Sequence, residues 1–135
     1  MIRLENVSMT YGDQHTYALN HVSLTIEDGE FVFIVGDSGA GKTTLFKLLI
    51  KEMQPTSGEI FVNGKCVTRL KRRRIPMLRR DIGVVFQNFR LLKDRNVYEN
   101  IAFAQRAISA PAKDINKNVA EVLTLTGISE KYRSF

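Results

Sequence analysis

Apolar and polar residues alternate from Ile2 to Tyr11 and again from Tyr17 to Ile26. This period of two predicts two strands, each with one buried face, joined by a loop around Gly12-Asp13-Gln14. Asp28-Gly29 marks a turn. Beyond it Glu30-Phe31-Val32-Phe33-Ile34-Val35 is an almost unbroken apolar run, which predicts a strand over 30–35 buried on both faces. The period then changes. Leu45, Leu48 and Leu49 fall at helical spacing and predict a helix running to about Lys51. Pro55-Thr56-Ser57-Gly58 breaks the chain, and Glu59-Ile60-Phe61-Val62 is a short strand closed by the turn signal Asn63-Gly64. Ile82-Gly83-Val84-Val85-Phe86 reads as a second buried strand. Asn96 with Glu99 three residues on predicts a helix start, and Val97, Ile101, Ala104 and Ile108 give it one apolar face. Pro111 opens another helix, with Ile115, Val119, Val122 and Leu123 inward and Gly127 at its end.

A β-rich lead followed by strand, helix, strand and two helices predicts a mixed α/β nucleotide-binding fold with an N-terminal antiparallel β layer. At 135 residues the prior is one domain or part of one. No apolar run approaches the roughly 20 residues that cross a bilayer, and the N-terminus alternates like a strand instead of carrying a signal-peptide core. Both point to the cytoplasm. Cys66, the single cysteine, excludes an internal disulfide, and its neighbours supply no general base.

Charge is concentrated in one place. Arg69, Lys71, Arg72, Arg73, Arg74, Arg79 and Arg80 fall within a dozen residues without an acid among them. These seven exceed the chain's net charge of +6 by one, so everything else is net −1. The stretch has no aromatic residue on which a base could stack, so no nucleic acid is expected as a partner. Nearness to anionic lipid head groups is the better functional reading; a solvated, partly helical face is the plainer one. His15 and His21 have no metal-ligand spacing to another His, Cys or acid cluster, and His21 reads as structural.

The candidate chemistry lies between the first buried run and the first helix. Gly36-Asp37-Ser38-Gly39-Ala40-Gly41-Lys42-Thr43-Thr44 has the spacing G-x-x-x-x-G-K-[ST] of a phosphate-binding loop. The glycines let the backbone turn its N–H groups onto phosphate oxygens, at φ values a Cβ would penalise. Lys42 sets a positive charge against the β- and γ-phosphates, Thr43 offers a hydroxyl to Mg²⁺, and the helix adds the positive end of its dipole.

With Tyr17-Ala18-Leu19-Asn20-His21-Val22-Ser23-Leu24-Thr25-Ile26, then Gly29-Glu30, leading into that loop, with Ser57-Gly58-Glu59-Ile60, and with Phe86-Gln87 after a buried run, the chain resembles the ATP-binding cassette (ABC) ATPases over its whole length. The basic segment with Ile75-Pro76-Met77-Leu78-Arg79-Arg80-Asp81-Ile82-Gly83, and Leu91-Leu92-Lys93-Asp94-Arg95-Asn96-Val97-Tyr98-Glu99-Asn100, resemble one branch, the FtsE-type ATPases of cell division. The resemblance implies a P-loop ATPase with ATP and Mg²⁺ as cofactors. Residues 36–44 would take the phosphates, and Tyr11 would stack on the adenine, with Tyr17 as second candidate and strand-end packing as the bland alternative. Gln87 would position Mg²⁺ or the attacking water. Phe89, Leu91 and Leu92 would either help form a groove for a cytoplasmic helix of a membrane partner or pack locally. It further implies an FtsX-like integral membrane subunit, a self-dimer of the full-length parent, and a place on the inner face of the plasma membrane. An ATPase subunit of a lipoprotein or small-molecule exporter, or a non-catalytic nucleotide-binding module, are the alternatives.

Parts of that family's pattern have no match here: no L-S-G-G-Q signature, no strand ending in Asp-Glu and no switch histidine. Residues 1–135 are thus expected to be the N-terminal part of a longer ATPase with an incomplete core sheet, its catalytic residues beyond Phe135. The chain itself is expected to bind ATP without hydrolysing it.

Overall fold

The computed structural model describes residues 1–12 and 16–135, and they divide into two compact units, Met1–Ile82 and Gly83–Phe135. The predicted loop at Asp13 and Gln14, and His15, lie outside the described residues.

In the first unit, strands β1 (Ile2–Tyr11) and β2 (Thr16–Ile26) pair antiparallel, with Ile2 opposite Ile26 and Tyr11 opposite Thr16. β3 (Ser57–Val62) pairs on the other side of β1, and the two-residue β4 (Lys65–Cys66) closes the sheet in the order β2-β1-β3-β4. The register slips between Leu4 and Val7, where Asn6 has φ 48° and His21 of the partner strand φ 49°. Gly58 makes this possible from the third strand: at φ 84°, a Cβ there would sit 2.3 Å from the Asn6 carbonyl oxygen. His21 takes a structural part, its N–H donating to Ser8 Oγ at 2.9 Å.

Helix α1 (Lys42–Leu49) ends two residues before the expected point. It buries Leu45, Leu48 and Leu49 against Leu4, Val7, Leu19, Ile60 and Val62 of the sheet, with Val67 and Leu78 completing the core. Leu78 belongs to the short helix α2 (Ile75–Arg80), which follows a 3-10 turn at Arg72–Arg74, so the basic segment is a solvent-facing, partly helical one.

The second unit holds α3 (Val97–Ala107) and α4 (Ala112–Leu125), packed on Ala102, Ile115, Val119 and Leu123. The α4 face is as expected except for Val122, which is 36% exposed. The α3 face is displaced: Ala102 is the buried residue, while Ala104 and Ile108 are exposed.

Two expected strands do not form. Residues 30–35 and 82–86 have no strand structure; Phe31, Phe33 and Val35 are each more than three-quarters exposed and Val85 is 96% exposed. An unbroken apolar run marks a segment suited to burial, but a parallel strand exists only through ladders to neighbours on its flanks. Neither run has one among the described residues; the only sheet there is the antiparallel one.

Candidate functional site

The 36–44 loop leaves the extended run at 30–35 and enters α1 directly. Gly36, Gly39 and Gly41 have φ of 153°, 85° and 88°, so three of its turns use backbone that L side chains rarely adopt. Gly41 is the N-cap of α1 and is pressed against β2. A Cβ there would stand 2.2 Å from the Ala18 carbonyl oxygen, which fixes where the helix begins. A turn closes inside the loop, with the Ala40 N–H donating to the Asp37 oxygen at 3.1 Å, and the first α1 bond runs from the Leu45 N–H to the Gly41 oxygen.

Lys42 curls back over this loop. Its ammonium donates to the carbonyl oxygens of Gly36 at 2.5 Å and Asp37 at 2.7 Å. The cation therefore stands over the loop backbone that leads into the N-terminus of α1, an arrangement that suits a group of closely spaced anionic oxygens. Thr43 is exposed at the start of α1, its hydroxyl available to a hard cation. Thr44 turns the other way. It is 6% exposed and its Oγ1 lies 3.0 Å from the Tyr11 hydroxyl. The phenol also donates to Met53 Sδ at 3.4 Å.

Tyr11 is thereby tied to the first turn of α1 with its ring about half exposed, at 49%. An amphipathic aromatic held at its polar tip presents a fixed face, as a stacking platform requires. Tyr17, 52% exposed, stands in β2 opposite Thr10 of β1. The chain thus brings Tyr11, Gly41, Lys42, Thr43 and Thr44 to one place.

Gln87 belongs to the second unit, exposed in a turn at Gln87-Asn88. The following residues are shaped by groups the sequence reading did not single out. Phe89 and Arg90 both have positive φ, 53° and 49°, and the Arg90 guanidinium stacks on the Phe86 ring 3.8 Å from its centroid. Asn100 of α3 fastens the loop from behind. Its Oδ1 accepts from the Leu92 N–H at 2.8 Å, and its Nδ2 donates to the oxygens of Leu92, Arg95 and Asn96 at 3.0–3.1 Å. A signal was present: an asparagine inside a helix competes for backbone and earns its place by a local bond. Phe89 and Leu91 are exposed, at 75% and 64%, while Leu92 is half-buried.

Burial lowers the Lys51 ammonium from its ordinary value, and the Cys66 thiol beside it acts in the opposite sense. The Arg106 hydrogen bond holds the Glu99 carboxyl below the usual range. Neither group belongs to the loop.

For the group the loop would hold, the residues fit. The Thr43 hydroxyl is a hard oxygen donor of the kind Mg²⁺ takes beside phosphate and water oxygens, and the Lys42 ammonium complements phosphate charge. Gly39 faces open space and Gly36 faces only the Ala40 methyl, so the loop backbone lies bare of side chains there, while Gly41 is closed off by β2.

Comparison with known proteins gives the family. The sequence profile of the family described as ABC transporter matches residues 19–135. The cell division ATP-binding protein FtsE of Bacillus subtilis (strain 168) is 45% identical over 135 residues, all of this chain and 59% of that protein. The methionine import ATP-binding protein MetN 1 of Pectobacterium atrosepticum is 41% identical over 138 residues, covering 41% of its length. Among solved structures, a dimeric ATP-binding cassette in a post-hydrolysis state, bound to ADP and Pi, superimposes with a TM-score of 0.86 at 32% identity, over 98% of this chain and 60% of that one. The chain thus spans about three-fifths of the FtsE relative and of that cassette.

Proposed function

Because the chain belongs to the ABC transporter family, we propose that it is the nucleotide-binding portion of an ATPase that couples ATP binding and hydrolysis to an FtsX-like integral membrane subunit in cell division. The observation that carries the reading is the loop itself: Lys42 over the carbonyls of Gly36 and Asp37, at the N-terminus of α1, where the helix dipole favours an anion. Identity of 45% over the whole chain with an FtsE relative, against 41% with the methionine import relative, supports the cell-division branch.

Each residue has a part in this reading. The backbone of Gly36, Asp37, Ser38, Gly39, Ala40, Gly41 and Thr44 binds phosphate oxygens. Lys42 would exchange its two loop carbonyls for β- and γ-phosphate oxygens, trading neutral acceptors for charged ones. Tyr11 stacks on the base. Thr43 would hold Mg²⁺, which when bound neutralises phosphate charge. The whole protein would sit at the inner face of the plasma membrane and dimerise around two nucleotides, as the dimeric cassette supports. Residues 1–135 would be its N-terminal part.

The methionine import relative favours one other reading, an ATPase subunit of an ABC transporter for a small solute or a lipoprotein. Copurification of the membrane partner separates the two.

Titration calorimetry with ATP tests the site. Lys42→Ala should weaken binding at least tenfold, about 1.4 kcal/mol. Equal affinities in the two forms would sink the assignment.

A further inference from the structure

The basic segment 69–80 is not used by the nucleotide site. Six of its seven cations fall into two sets; the seventh, Arg74, donates to Met77 Sδ at 3.5 Å. Arg69 pairs with Glu59, and Arg79 donates to the carbonyl oxygens of Ile50 at 3.0 Å and Lys51 at 3.4 Å. These contacts, with Leu78 buried at 1%, hold the segment to the first unit's core. Lys71, Arg72, Arg73 and Arg80 are exposed, and none makes an ion pair among the described residues. The anchored residues thus present the free ones.

Their arrangement is one-sided. Arg73, Met77 and Arg80 are spaced i, i+4, i+7 through the 3-10 turn and α2, so they share a face, away from Leu78. Met77 is 50% exposed between the two cations, beside exposed Pro76. The remainder of the chain is net −1, so this is a local cationic patch and not part of a generally basic surface.

We propose that this face docks on the surface of an anionic lipid bilayer. Arginine guanidiniums pair with lipid phosphates in bidentate fashion, and an apolar side chain flanked by cations suits the boundary between head groups and acyl chains. A single-stranded nucleic acid would want aromatic platforms, and the segment has none. The partner is the bilayer itself, additional to any protein subunit in it.

The test is cosedimentation of the whole chain, without nucleotide, with vesicles of phosphatidylcholine alone or containing about one-third phosphatidylglycerol. The nucleotide site plays no part in the readout, so a failure of the ATP assignment leaves it intact. The chain should bind the anionic vesicles only, and high salt should release it. Arg72→Gln, Arg73→Gln and Arg80→Gln combined should weaken binding about a hundredfold, from the ordinary worth of three cations at such a surface. Lys113→Gln, Lys117→Gln and Lys131→Gln combined, the same charge change in the second unit, should leave it within about twofold. Binding to neutral vesicles alike, equal loss in both variants, or tighter binding to duplex DNA at matched phosphate concentration would overturn the proposal.

Discussion

Two adjacent threonines open α1 and face opposite ways. Thr43 looks outward, where a cation could use its hydroxyl, and Thr44 inward, where Tyr11 uses it. The motif's spacing made the loop legible, because its chemistry is local: nine consecutive residues hold the turn, the charge and the helix start. The Tyr11–Thr44 bond was not legible, since it joins residues 33 apart in sequence. This bond separates two roles of Tyr11 that would otherwise be confused. Tyr11→Phe should cost about 1 kcal/mol of stability, measured by urea denaturation, and leave ATP affinity nearly unchanged, because the ring remains. Tyr11→Ala should weaken ATP and GTP alike by about 1 kcal/mol in calorimetric titration, because stacking does not distinguish bases. A change in the ATP/GTP ratio alone would remove Tyr11 from the base site. Gly41→Ala should destabilise the chain by about 3 kcal/mol or more, combining the left-handed conformation with the collision at the Ala18 carbonyl.

At the scale of elements, the reading succeeded where a segment carries its own stop and start signals. Asn96 caps α3 as its spacing to Glu99 predicted, its Oδ1 accepting from the Glu99 N–H at 2.8 Å. Asn96→Ala should lower stability by about 1 kcal/mol in denaturant unfolding followed by circular dichroism. The same helix carries a pH response. Arg106 donates to Glu99 at 2.9 Å and holds its carboxyl below the ordinary value. A depressed carboxylate adds stability that is present above its unfolded value and is lost as pH falls through the folded one. Acid below the ordinary carboxylate range should therefore loosen α3 in the native chain and change an Arg106→Gln variant less. Where an element depends on distant partners, pattern was not enough. The runs at 30–35 and 82–86 have the composition of buried strands but no ladder, and the inward face of α3 rotated to Ala102 because α4 decides which side is covered.

For the whole chain, nucleotide binding and nucleotide turnover should separate. No residue of the 135 matches the family's general base, so phosphate release with Mg²⁺ and excess ATP should stay at background, while titration still reports binding. A chain that turns over ATP would place the catalytic carboxylate within 1–135. The exposed apolar runs should also make the isolated chain self-associate, detectable by light scattering as a mass that rises with concentration.

The separation of the interior into two groups of buried residues has a thermodynamic consequence. Among the described residues, eleven apolar side chains close the core of the sheet unit, whereas four close that of the helical unit. The larger core withdraws much more apolar surface from water, so the smaller one has less to set against the entropy of its ordered backbone. In a scanning calorimeter the chain should then absorb heat in two steps, the helical unit first. The measured enthalpy should exceed the value inferred from the sharpness of either step alone, the mark of melting that is not a single cooperative event.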